Sequence, residues 1–295
     1  MASNRVAGLA MLLAVVGARW AGAQNGQGAL WDSAGVILRA PASGAAGYTR
    51  YNFPRRDIAL RIGDVAVAPG LALGSWAGFA GRADSAVAMG DLVLLPGELP
   101  AVLRELDQGG LEVTAIHNHL AGESPALSYV HFHGQGTVLS LAAAVDRALA
   151  RTATPRPVTA AAAEPLSIDT AGVFQVLGIR GRASGAVAQL SPVLVPGAVS
   201  ASGQVLVPAL AYGSPINLQL VSADRMVAAG DFAVLEARVA PLLHALGSHG
   251  ITATAMHSHL VGENPRVYYI HFWADARPSE VLEGLRAALD SANGR

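Results

Sequence analysis

Shifting the chain against itself by 140 residues aligns Asp84–Phe132 with Asp224–Phe272 without a gap, and 20 of those 49 positions are identical. An internal repeat constrains the fold more than any local propensity, because both copies must be structural units of one kind. Gly90-Asp91 matches Gly230-Asp231, Gly110 matches Gly250, and Thr114-Ala115 matches Thr254-Ala255. The densest stretch is HNHLAGESPALSYVHF (117–132) against HSHLVGENPRVYYIHF (257–272). Weaker echoes lie upstream, where Asp32–Val36 resembles Asp169–Val173 and Gly74-Ser75 matches Gly213-Ser214. The join, RTATPRPVTAAAAEP (151–165), is a Pro/Ala/Thr run without hydrophobic period and reads as a linker. Repeat 1 therefore occupies 29–150 and repeat 2 occupies 166–293.

Each repeat shows one layout. Short alternating segments come first (57–67 and 74–82, then 199–207 and 216–222), followed by a strand at Ala86–Leu95 in the first copy. Leu95, Leu99, Val102, Leu103 and Leu106 then recur at helical spacing, closed by Gly109-Gly110. The second stripe is Leu235, Val239, Leu242, Leu243 and Leu246, closed by Gly247, with Pro241 placed to delay or kink its start. Two strands flank the loops at 120–126 and 260–266, and a last helix carries Leu141, Val145, Ala148 and Leu149, echoed by Val281, Leu282, Leu285 and Leu289. The expected fold class is α+β: two tandem repeats, each an antiparallel sheet with helices packed on one face around a β-α-β-β-α core.

Residues 1–23 read as an export signal. Arg5 supplies the positive end, Val6 to Ala18 the apolar run, and Ala21-Gly22-Ala23 a small-residue cleavage site before Gln24. No later apolar stretch is long enough for a transmembrane anchor, so a periplasmic or extracellular location is expected. All 20 basic residues are arginine, and there is neither lysine nor cysteine. This excludes Schiff-base lysines, Walker-type phosphate loops, thiol nucleophiles, thiolate metal sites and a lipidated cysteine. A net charge of -1 leaves no basic field for nucleic acid.

Seven of the nine histidines fall in the two hairpins, and the spacing H-x-H-x3-E-x7-H occurs twice. The candidate metal ligands are His117, His119, Glu123 and His131 in the first copy, and His257, His259, Glu263 and His271 in the second. Period two places His117 and His119 on one face, with Tyr129, His131 and His133 on the matching face of the return strand. A tight return at Gly122–Ser124 would set these side by side, with Ile116, Val130 and Phe132 pointing into the helix-covered core. Neutral imidazoles with a carboxylate suit Zn, Cu, Ni or Fe(II), and three ligands leave a position open. The alternative is that the histidines hydrogen-bond across the hairpin or line an interface without metal. His133 aligns with Trp273 and is the weakest ligand; His244 and His249 have no counterparts and read as surface residues.

Tyr129, Tyr269 and Arg266 are possible ligand-binding residues, although Ala126 stands where the second copy has Arg266. Gly90-Asp91 and Gly230-Asp231 read as turns entering a strand. Arg55, Arg56 and Asp57 read as an exposed charged cluster. No catalytic residue and no organic cofactor site is assigned, and the expected partner is a small molecule or a cell-envelope component. The readings are thus a divalent-metal or small-ligand protein, a metal-free envelope module binding glycan, peptide or protein, or a metal-dependent oxygenase or hydrolase.

H-x-H-x3-E also resembles the first cupin motif, but a cupin's second motif is missing and two helical stripes per repeat oppose that barrel. The hairpin motifs, each preceded by a Gly-Asp strand and a leucine helix, resemble the LppY/LpqO-type family of bacterial envelope proteins, built from tandem copies of a domain of unknown function. That resemblance implies export and duplication, with no established activity or cofactor. Departures are Pro125-Ala126 in place of Pro-Arg, and Ser191-Pro192-Val193-Leu194, which lacks an arginine.

Overall fold

A computed structural model describes residues 30–45, 47–159 and 168–295. The expected export signal and part of the join lie outside the described residues. The first half comprises α1 (30–38), β1 (Ala42–Ala45), β2 (Tyr48–Pro54), β3 (Arg61–Ile62), β4 (Val65–Ala66), α2 (Pro69–Ala72), β5 (Gly74–Arg82), β6 (Ser85–Leu94), α3 (Leu99–Gln108), β7 (Glu112–His117), β8 (Glu123–Ser124), β9 (Ser128–Gly136) and α4 (Val138–Leu149). The second half comprises α5 (Thr170–Leu177), β10 (Arg182–Ser184), β11 (Val187–Leu190), β12 (Ser200–Ala201), β13 (Gln204–Val205), α6 (Pro208–Ala211), β14 (Ile216–Ser222), β15 (Arg225–Leu235), α7 (Glu236–Ser248), β16 (Thr252–His257), β17 (Val267–Ala276) and α8 (Pro278–Asn293).

Each half builds a six-stranded antiparallel sheet, ordered β1-β2-β5-β6-β9-β7 in the first and β10-β11-β14-β15-β17-β16 in the second. The orders correspond strand for strand, and the α+β class expected from the repeat is what forms. Val102 and Leu106 of α3 join Leu141 and Val145 of α4 over Val130 and Phe132 of the sheet. Leu242, Leu246, Leu285 and Leu289 do the same over Ile270 and Phe272. From Leu99 and Val239 onward the stripes fulfil their helical reading, because a stripe at this spacing covers one sheet face, whereas Leu95 precedes α3 and Leu235 ends β15. Pro241 lies inside α7 without delaying its start, and α7 runs past Gly247 to Ser248. Its exit falls on Gly250, whose φ of 70° matches the 71° of Gly110 after α3.

The uncovered faces of the two sheets meet each other. Between β2 and β5, residues 57–73 form an arm that joins Ile58, Leu60, Val67 and Leu71 to Val227 and Ala229 of the other half. Residues 195–212 form the reciprocal arm, with Val199, Leu206 and Leu210 packed with Ala80 and Met89. Gln219 clamps the first arm, accepting from Ala68 N at 2.8 Å and donating to Ala66 O at 2.8 Å. Asn217 donates to Leu71 O at 2.8 Å and Gln189 to Gly70 O at 2.6 Å. Because helices cover one side of β6 and the other half covers the opposite side, β6 is buried almost continuously from Ala88 to Leu94. A strand covered on both faces loses its alternation.

Three local expectations are corrected. Ile116 is 49% exposed and does not enter the core, unlike Val130 and Phe132, because β7 is an edge strand. Gly90-Asp91 and Gly230-Asp231 lie within β6 and β15, not at turns. Arg55 is wholly buried: it pairs with Asp57 at 2.8 Å and Glu98 at 2.7 Å, and donates to Val93 O at 2.7 Å. Of the join, residues 151–159 are held against the first half through Ala153 N to Glu98 Oε1 at 2.9 Å and Val158 N to Arg39 O at 3.0 Å.

Candidate metal centre

The hairpin strands pair as their period-two pattern demands. His117 stands opposite Tyr129 and Ala115 opposite His131, while His257 stands opposite Tyr269 and Ala255 opposite His271. The return is wider than a tight turn at Gly122–Ser124: the connection runs from 118 to 127, and β8 within it pairs with β3 of the arm. In the second half, Asn264 exchanges hydrogen bonds with Ser200 of β12, N to O at 2.8 and 2.9 Å. Each histidine loop is therefore fastened to the arm of its own half.

Because the sheet faces meet, the two hairpins form one site. His117 packs on His257 with ring centroids 3.9 Å apart, His119 on His271 at 4.1 Å, and His131 on His259 at 3.8 Å. These pairs obey the pseudo-two-fold relation of the repeat, with His117 and His257 at its centre. Tyr129 stacks on His119 at 3.4 Å and Tyr269 on His259 at 3.7 Å. Their hydroxyls are engaged elsewhere, donating to Ala72 O at 3.0 Å and Ala211 O at 2.6 Å. The tyrosines therefore wall the site and tie down the arms. Thr254 donates to the His119 carbonyl across the halves.

The carboxylates beside the imidazoles are Asp91 and Asp231. An oxygen of Asp91 is 3.7 Å from His131 Nε2, and one of Asp231 is 3.8 Å from His271 Nδ1. Their glycine partners explain the strand position: a Cβ at Gly90 would fall 2.3 Å from the Phe132 ring, and one at Gly230 would fall 1.9 Å from Pro215 O. Only glycine permits this approach of neighbouring groups. Sequence reasoning missed the aspartates because Gly-Asp is a local turn signal; their recurrence in both copies was the available clue.

Burial sets the electrostatics. It pushes the Asp91 carboxyl up to about 8, and pushes Asp231 well above the ordinary range, with the Asp91 charge adding to the effect. Burial also lowers His131 to about 3, and holds His119, His259 and His271 well below the usual imidazole range, with neighbouring imidazoles reinforcing it. The imidazoles are thus neutral, the state in which a ring nitrogen can ligate a metal.

Several buried polar atoms in this site have no hydrogen-bond partner: both ring nitrogens of His117, Nε2 of His119, His131 and His257, Nδ1 of His271, and Oδ1 of Asp91 and Asp231. An unpartnered buried polar atom costs about 1–3 kcal/mol, so such a convergence fits a group that binds them all. His117, His257, His259 and His271 offer ligand atoms within 4.8 Å of one another, as do His117, His119 and His131. These histidine groups can hold a metal ion.

The predicted glutamates sit outside those groups. Glu123 lies in β8 opposite Ile62 of the arm. Glu263 Oε1 accepts from Ser258 Oγ at 3.0 Å and Val267 N at 3.3 Å, which staples its own loop, while its Oε2 is buried without a hydrogen-bond partner. Arg266 is exposed, as are His244 and His249, and His133 is not among the grouped histidines. A cleft of about 990 Å³ between the sheets reaches His119, Tyr129, Asp91 and Asp231.

Among the described residues, no helix is long and apolar enough to cross a membrane. No curated protein matches the chain. Among solved structures, EtuB from Clostridium kluyveri is similar at 13% identity, over 85% of this chain and 90% of that one, with a TM-score of 0.21. At that score the likeness bears on neither fold nor function. A family described as Domain of Unknown Function (DUF1259) matches residues 34–151 and again 171–291. Two copies covering both halves leave no doubt of membership: the chain belongs to the DUF1259 family as a tandem repeat.

Proposed function

We propose that this chain is an exported metalloprotein whose centre lies between its halves. The imidazoles of His117, His119, His131, His257, His259 and His271 are its ligands, and Asp91 and Asp231 complete or orient the set. The carrying observation is the convergence of unpartnered buried imidazole and carboxylate atoms on one interface. A donor set of nitrogen and oxygen without thiolate suits Zn, Cu, Ni or Fe(II). A metal there would supply Lewis acidity or, for iron and copper, one-electron chemistry; the aspartates would fix ring orientation. The resemblance of the hairpin motifs to LppY/LpqO-type envelope proteins and the signal-like first 23 residues support the location outside the cytoplasm.

A sealed structural site needs no entrance, whereas this one adjoins a cleft, which supports a centre that meets a small molecule. The test is elemental analysis of untagged protein after exhaustive dialysis. At least one transition-metal ion per chain is expected, falling at least tenfold in the variant carrying His117→Ala and His257→Ala. Substoichiometric metal that dialyses away would overturn the reading.

A further inference from the structure

Three arginines that the metal centre does not use line the cleft that reaches His119: Arg56, whose guanidinium donates to Thr159 O at 2.6 Å, and Arg50 and Arg182. Arg50 of β2 lies with its guanidinium carbon 4.2 Å from the Trp76 ring centroid, and its Nε donates to Asn52 Oδ1 at 2.9 Å. Arg182 of β10 comes from the other half, and its Nε donates to Gln189 Oε1 at 3.0 Å. Both line the cleft. Neither forms an ion pair among the described residues, unlike Arg55, Arg225 and Arg286, each of which holds a carboxylate.

Arg50 is half-buried and Arg182 exposed where they line the cleft. Burial lowers Arg50 to about 10, and the Arg182 charge adds to that effect. Strand register sharpens the point. Arg50 stands opposite Gly78 in β5, and Gln189 stands opposite Asn217 in β14, the equivalent place in the other half. Gln189 uses its amide to hold Gly70 O of the arm, whereas the Arg50 guanidinium lies over Trp76 facing the cleft. Stacking on an indole fixes a guanidinium's plane while its remaining N–H groups stay available.

We propose that the cleft binds a small organic anion, its carboxylate or phosphate group held between Arg50 of one half and Arg182 of the other, with its remainder extending to the imidazole floor. The anion offsets the like-charge pair, and a fork of N–H donors matches either oxyanion. The site of chemistry at the floor rests on the metal-centre reading; the anion clamp itself does not.

Isothermal titration calorimetry on the untagged chain tests this, using inorganic phosphate and malonate as probes at low ionic strength, on metal-loaded and chelator-treated protein. At least one probe binds, and which one assigns phosphate or carboxylate. Arg50→Gln, which installs the residue of the equivalent position, and Arg182→Gln each weaken binding at least tenfold, while metal content and unfolding midpoint stay unchanged. Arg50→Lys retains part of the affinity. Failure of both probes to bind, or wild-type affinity in Arg50→Gln, overturns the proposal. Arginine-dependent binding to a protein that holds no metal would sink the metal centre and leave the clamp standing; a metal-loaded protein without such binding would do the reverse.

Discussion

The two halves share a scaffold but differ in how they use equivalent positions. Facing the interface, both carry the same His-x-His, Tyr-x-His and Gly-Asp set. Further from its centre, the first half has Arg50, Gly78 and Ala80 where the second has Gln189, Asn217 and Gln219, by strand register. The second half therefore grips its neighbour's arm with amides, and the first receives its neighbour's arm through apolar contact, Leu210 lying where a Gly78 side chain would be. Likewise Arg55 holds a buried ion pair where the second half packs Leu194. Divergence has left the middle of the interface two-fold and made its entrance one-sided.

The sharpest way to break this comparison is at Arg55. Arg55→Ala leaves Asp57 and Glu98 without their cation and is expected to cost about 3–5 kcal/mol in denaturant unfolding. Leu194→Ala, at the matching place, costs about 2–3 kcal/mol. Equal costs would show that the ion pair has no special role. A symmetric centre makes a second demand: His119→Ala and His259→Ala should weaken metal binding by the same factor, on the order of 100-fold, in competition with a chelating dye. Loss in only one of them would assign the ion to one half.

The pH profile of metal-free protein tests the buried charges. The imidazoles have folded values below their ordinary one, so the unfolded chain takes up protons first as pH falls below about 6.5, and acid destabilises. Asp91 and Asp231 are raised, so the unfolded chain releases protons first as pH rises from about 4 towards 8, and this destabilises at the alkaline side. The lowered histidines outnumber the raised aspartates, so stability should peak near pH 6.5 and fall on the acid side. A profile that is flat between pH 5 and 8 would contradict the burial of these groups.

Smaller still is Gln219→Ala, which removes two hydrogen bonds to the arm and should cost about 1–3 kcal/mol. Arg266→Ala should leave metal content and unfolding midpoint unchanged, since the side chain is exposed.

Much of this was legible before any coordinates. Leucines at helical spacing located α3 and α7, and period two put His117, Tyr129 and His131 on one face. Period two says which residues share a face but not what lies over it, so the meeting of the two hairpins was out of reach. The same gap hid Asp91: its neighbours in β6 are apolar on both sides because two layers cover the strand, and a Gly-Asp pair in such a run resembles a turn. The arms escaped for a related reason, their apolar residues being matched to a partner surface more than a hundred positions away.

The reciprocal arms carry a kinetic consequence. Since each half lies partly on the other's sheet, the halves cannot swing apart as lids without withdrawing both arms and the amide bonds that hold one of them. A solute can then reach His119 along the cleft with the halves still closed, and the rate of that passage should depend on its size and charge. An ion once seated there leaves as slowly as the clasp unfolds or as fast as that passage allows.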